Sequence, residues 1–162
     1  MRFFKYLHYL TIAILLIFNF NFAQAEIIIP SELRITPDIE SFLNPEYFVI
    51  QINGNSNNGA INLADIKLQF NPETLIFDSI DYSENFCEFN IFENINNQTG
   101  KINFICATTN ATTTLNIAKI KFKKISAGWN KITLSDSRFF LNNGLGESIL
   151  LATESHNFYI YR

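Results

Sequence analysis

From residue 26 onward, apolar and polar residues alternate in short runs separated by clusters of Asn, Gly, Pro and Asp. Alternation of period two marks strands with one buried face, and the clusters are turn formers. Glu26–Ile35 reads as a first strand, interrupted at Pro30. Tyr47–Asn53 is a second, with Phe48, Ile50 and Ile52 on one face, and the GNSNNG stretch at 54–59 is a turn by composition. Ile61–Phe70 is a third, and its skip at Ala64-Asp65 predicts a bulge. Asn71-Pro72-Glu73-Thr74 turns the chain into Leu75-Ile76-Phe77. Further strands are predicted at Phe86–Phe92, Ile102–Ala107, Thr114–Ile125, Asn130–Leu134, Arg138–Leu141 and His156–Tyr161. A change of phase between Ile117 and Ile120 predicts a second bulge. Long helical periodicity is absent. About nine or ten closely spaced strands fit a single all-β, jelly-roll-like sandwich.

The first 25 residues follow a different pattern. Arg2 and Lys5 give a positive start, Thr11–Phe18 is a short apolar core, and Ala23-Gln24-Ala25 is a small-x-small cleavage site. Met1–Ala25 is therefore expected to be a cleaved signal peptide, with residues 26–162 the mature domain. An uncleaved anchor is the alternative. Its apolar stretch falls well short of the ~20 residues of a membrane helix, and Asn19 and Asn21 interrupt it. The protein is expected to be secreted or held at the cell surface, without stable membrane insertion after cleavage.

Charge and composition narrow the function. The formal charge is −3, and removing a leader with two bases and no acid takes it to −5. Mild acidity argues against a nucleic-acid partner. Lys119, Lys121 and Lys123 alternate along one strand and share a face, expected to be solvated, with Lys124 beside them. Cys87 and Cys106 are the two cysteines of an exported chain, which favours a disulfide over two buried thiols. The sequence between them reads as a hairpin with its tip at 96–100, so a cross-strand bridge is expected.

Catalytic constellations are thin. His8 lies in the leader, leaving His156 alone, and no Gly-x-Ser-x-Gly occurs. Asp78, Asp81 and Glu84 cluster in what reads as a loop between strands, and a solvated loop is the expectation there rather than a metal site. No enzyme, cofactor or metal is predicted. Asn97-Gln98-Thr99 and Asn110-Ala111-Thr112 match the N-glycosylation pattern. Exposed aromatics would matter for sugar binding. Trp129 is the only tryptophan, Tyr159 and Tyr161 share a strand face, and the three are candidates for a carbohydrate platform. A rim tryptophan covering the end of the sandwich is the alternative.

The order of segments resembles a family. Ile66–Leu75, an alternating strand ending in aromatic-Asn-Pro-x-x-Leu, is one carrier of the resemblance. Gly100-Lys101-Ile102-Asn103-Phe104, Leu115–Lys123, Ala127-Gly128 before Asn130–Leu134, and Ser137–Gly144 are the others. In this order and spacing they resemble a cohesin domain, within the cohesin and carbohydrate-binding-module group of β-sandwiches, over Glu26–Tyr161. Pro45-Glu46-Tyr47-Phe48-Val49 departs from the family's usual early segment, and the cysteine pair is not a general family feature. The resemblance implies a non-catalytic receptor. Such a receptor binds a dockerin-like module, which carries the calcium, through a sheet face and its loops, in a polysaccharide-degrading or surface assembly. Direct polysaccharide binding is the alternative, favoured if Trp129 and the tyrosines form one exposed flat strip. A structural subunit of a surface assembly is the third reading.

Overall fold

The computed structural model describes residues 31–152 and 154–161. The expected leader and residues 26–30 lie outside them. The described chain forms eleven strands and one short helix. They are β1 (Glu32–Pro37), α1 (Ile39–Leu43), β2 (Tyr47–Asn55), β3 (Ile61–Gln69), β4 (Leu75–Tyr82) and β5 (Phe89–Asn96). Then follow β6 (Lys101–Thr112), β7 (Thr114–Lys124), β8 (Gly128–Leu134), β9 (Arg138–Leu141), β10 (Ser148–Leu150) and β11 (Glu154–Ile160). One sheet has four strands in the order β1-β2-β7-β4. The other has seven, in the order β10-β9-β3-β6-β5, with β8 joining β3 and β11 joining β8. This is the jelly-roll-like sandwich that the alternation predicts.

The core lies between the sheets. Phe48, Ile50, Ile52, Ile120 and Phe122 come from the smaller sheet, and Ile66, Ile102, Phe104, Ile132 and Phe139 from the larger; all are fully buried. Phe48 meets Phe158 with ring centroids 4.5 Å apart, and Phe70 meets Phe122 at 5.0 Å. Burial of this apolar surface is the main force holding the layers together. Gly54 permits a close approach of the layers, since a Cβ there would lie 2.5 Å from Cζ of Phe139. Gly100 closes the β5–β6 turn at φ +65°, where a Cβ would fall 2.1 Å from the Phe70 carbonyl oxygen.

Two bulges shape the strands. In β7 the register passes from Ala118 to Asn116 opposite Ile52 and Asn53, so Ile117 is the extra residue. That agrees with the change of phase seen in the sequence. In β3 the irregularity lies at Asn62, between Ile61 and Leu63, and not at Ala64-Asp65. The sequence misplaces it because Leu63 reads as a core residue, whereas Leu63 pairs on the outer face and Ala64 is buried. Residues 108–111 of β6 stand opposite the same step.

Other boundaries also differ. β4 runs through Tyr82, so Asp78 and Asp81 lie in a strand and not in a loop. A register shift at Asp78 breaks the alternation of this edge strand and hides it in the sequence. The helix α1 is too short to show a period. Asp38 caps it, accepting a hydrogen bond from the Glu40 amide at 3.2 Å. The bases alternate outward as expected, with Lys119 and Lys123 exposed and Lys121 half-buried. Lys124 instead turns inward, and its Nζ donates to the carbonyls of Ser41, Phe42 and Asn44 at 3.2, 3.0 and 2.6 Å.

Candidate functional site

The two outer faces of the sandwich differ in chemistry. The outer face of the smaller sheet carries mostly polar residues, Arg34, Thr36, Gln51, Asn53, Lys119, Lys121, Lys123 and Asp81, with Tyr47, Val49 and Ile76 among them and Lys121 3.4 Å from Asp78. The outer face of the larger sheet carries an apolar row. Phe89 stands beside Ala107, Ala107 beside Leu63, and Leu63 beside Phe140, in register across β5, β6, β3 and β9. With strands ~4.8 Å apart, the row runs ~15 Å across the sheet. One step along, Phe92 stands beside Ile105, Ile105 beside Asp65, and Asp65 beside Arg138. Lys67 lies 3.5 Å from Asp65. The apolar centre therefore ends on a charged rim, the anatomy of a protein-binding face.

The exposed end of the apolar row is on β5. Phe89, Ile91 and Phe92 are 53%, 57% and 47% exposed. Scattered exposed apolar residues are ordinary, but a contiguous group marks an interaction surface. The bulge at Ile91 brings both Phe89 and Phe92 to the side of the sheet that Ala107 and Ile105 occupy. Without it the two rings would lie on opposite faces.

The surroundings of β5 hold it in place. Cys87 and Cys106 are joined by a disulfide, with Cα atoms 5.0 Å apart. The bridge does not run directly across the hairpin, because Asn90 is the residue paired with Cys106 and Cys87 sits in the turn before β5. It therefore ties that turn to the core strand β6. Glu88, the next residue, accepts from the Thr109 amide at 3.0 Å, the Thr109 hydroxyl at 2.9 Å and the Asn110 side chain at 3.0 Å. These bonds pull its carboxyl below the ordinary glutamate range. On the far side, the Tyr82 hydroxyl donates to Glu93 at 2.5 Å and joins the edges of the two sheets. Burial first, then the hydrogen bond to Glu93 and its charge, raise the Tyr82 pKa.

The aromatics singled out in the sequence come together on the outer side of β8 and β11. Trp129 pairs with Tyr159, and Phe158 and Ile160 form the core face of β11. Trp129 is 71% exposed and Tyr161 68%. The rings do not form a flat strip: Trp129 meets Tyr159 at 84°, and Tyr159 meets Tyr161 at 60°.

The remaining candidates serve the scaffold. His156 Nε2 lies 3.4 Å from Oε1 of Glu154, which also accepts from the Ile35 amide at 3.1 Å and so joins β11 to β1. Asn97, in the first glycosylation pattern, accepts from the Phe77 amide at 2.8 Å. Asn110, in the second, is held by Glu88. Among the described residues no three His, Cys, Asp or Glu side chains cluster as metal ligands. No described helix is long and apolar enough to cross a membrane.

The apolar row was missed in the sequence, although a signal for it exists. β6 is apolar on both faces, with Ile102, Phe104 and Cys106 inward and Ile105 and Ala107 outward. A sandwich strand facing water on one side should alternate cleanly.

No protein-family model and no curated protein matches the sequence. The fold does have counterparts among solved structures. The cohesin module of a family 33 glycoside hydrolase from Clostridium perfringens superposes with a TM-score of 0.63 at 15% identity, over 80% of this chain and 96% of that module. A type II cohesin domain from the cellulosome of Acetivibrio cellulolyticus gives a TM-score of 0.62 at 15% identity, over 80% and 95%. A cohesin from scaffoldin B of the same organism, solved in complex with a dockerin, gives 0.60 at 15% identity, over 80% and 97%. The chain therefore has a cohesin-like β-sandwich fold.

Proposed function

We propose that this protein is an exported, non-catalytic recognition module that docks a dockerin-like protein partner through the outer face of its larger sheet. The apolar row from Phe89 to Phe140, with its charged rim at Asp65, Lys67 and Arg138, carries the reading. Support also comes from the fold, which resembles a cohesin solved with its dockerin bound. Export rests on the leader pattern of Met1–Ala25. The partner brings the calcium, and the assembly is polysaccharide-degrading or cell-surface in kind.

The mechanism is complementarity on a rigid platform. Phe89 and Phe92 supply rings that lose water on docking, and aromatic anchors dominate such interfaces. Asp65, Lys67 and Arg138 fix orientation at the rim, where charges govern specificity and encounter more than affinity. The disulfide and the Tyr82–Glu93 link keep β5 preordered, which lowers the entropic cost of binding.

Calorimetric titration with calcium-loaded dockerin modules from the protein's own source tests the proposal. Phe92→Glu should weaken binding by about 2 kcal/mol or more, roughly thirtyfold. Lys119→Glu, on the opposite face, should leave it unchanged. Binding that survives Phe92→Glu and fails with Lys119→Glu would place the partner on the smaller sheet and refute the assignment.

A further inference from the structure

A second surface on the larger sheet has a different chemistry. A groove of about 830 Å³ lies where β8, β11 and the turn after β3 meet. Trp129 forms one wall, and Gln69, Lys131, Thr133 and Asn157 contribute to its lining. The strand pairing places these side chains in a grid. Gln69 stands beside Thr133 across β3 and β8, and Lys131 stands beside Asn157 across β8 and β11.

The backbone that carries Trp129 is braced. Asn71 at the turn bonds its own loop at the Glu73 amide, 3.0 Å, and reaches the Trp129 carbonyl at 3.4 Å. Asn130, the next residue, is buried and bonded to Thr74 and to the Asn71 amide. Tyr159 meets the indole at 84° with centroids 5.6 Å apart. A single edge-on contact occupies at most one face of the ring, and the side chain is 71% exposed. Tryptophan is usually largely buried, so a braced and exposed one is a departure that calls for a ligand.

The lining defines that ligand. The amides of Gln69 and Asn157 and the hydroxyl of Thr133 have no hydrogen-bond partner within the described protein. Each amide offers donors and an acceptor, and a hydroxyl offers both, which matches the hydroxyls of a sugar ring. Among the described residues no carboxylate lines the groove, and Lys131 is the single charge there. That supplies hydrogen bonding without the clustered cations a polyanion needs. The 84° and 60° angles between successive rings exclude one flat aromatic strip, so a crystalline polysaccharide surface does not fit. One platform with polar walls fits a single soluble glycan segment.

We propose that the groove at Trp129 is a binding site for an uncharged oligosaccharide, with one pyranose ring stacked on the indole and its hydroxyls bonded by Gln69, Thr133 and Asn157. The site is distinct from the apolar row, although Lys67 of the charged rim lies only two residues before Gln69 on the same face of β3. Leu63 of the apolar row and Gln69 of the groove lie six residues apart on β3, about 20 Å at strand rise.

Because Trp129 is the sole tryptophan, its emission reports on this groove alone. The purified protein would be titrated with cellohexaose, xylohexaose and mannohexaose, and with hexagalacturonate as the charged control. The expected result is a saturable emission shift with at least one uncharged hexasaccharide. By calorimetry, Trp129→Ala and Asn157→Ala should each weaken that binding about tenfold or more, while Phe92→Glu leaves it intact. Circular dichroism would establish that each variant is folded. No saturable response to the uncharged sugars, a response to hexagalacturonate alone, or binding that persists in folded Trp129→Ala would overturn the proposal. None of these outcomes bears on the dockerin titration, which reads the other end of the sheet.

Discussion

Lys124 shows how a single side chain can run against its pattern. It ends a strand whose other lysines are solvated, yet it is 3% exposed and its ammonium satisfies three carbonyls at the end of α1. Burial pulls its pKa down, which is the cost of placing a charge there. The carbonyls of a helix end need donors, and this lysine provides them from another element. Lys124→Met keeps the stem and removes the donors. We expect a loss of about 1–3 kcal/mol, read as a lower urea midpoint with an unchanged slope. The sequence could not reveal this role. Lys119, Lys121 and Lys123 declare their face by alternation, but the partner of Lys124 lies about 80 residues away in sequence and is backbone, which carries no residue-type signal.

At the scale of elements, β5 and the turn before it depend on anchors from β6. Residues 108–111 of β6 bulge away from β3, and Glu88 fills that irregularity with three accepted hydrogen bonds. Its folded pKa lies below its unfolded value, so the unfolded chain binds more protons as acid is added. The stability this contributes is complete above the ordinary glutamate pKa and is lost as pH falls through the lowered folded value. Glu88→Gln lacks that dependence. Urea midpoints measured across the acid range should therefore converge, with the wild type more stable at neutral pH and its advantage shrinking on acidification. A constant gap would contradict the role. Strands with clean alternation, such as β2 and β7, are legible in the sequence with their cores and with the β7 bulge. β4 is cut short in the reading because its bulge at Asp78 breaks the period, and α1 and β10 are too short to register one. The disulfide partners are legible from their number and from the export pattern of the leader. Their placement is not, because the turn before β5 holds Cys87 off the strand.

The whole molecule is a two-faced plate. One outer face is mostly polar and charged, and the other carries an apolar row at one end and an aromatic, amide-lined groove at the other. The aromatics of the groove are legible by type and by shared strand face, whereas their angles depend on tertiary packing. The apolar row is legible only once strand register is known, since Phe89, Ala107, Leu63 and Phe140 come from four separate segments. Docking through this row is the central claim. The measurement that tests it most directly is amide hydrogen exchange of the protein alone and with a bound calcium-loaded dockerin. Slowed exchange concentrated on β5, β6, β3 and β9, with β1, β2, β7 and β4 unchanged, is the predicted result. Protection on the smaller sheet, or none on β5 at saturating partner, would contradict it.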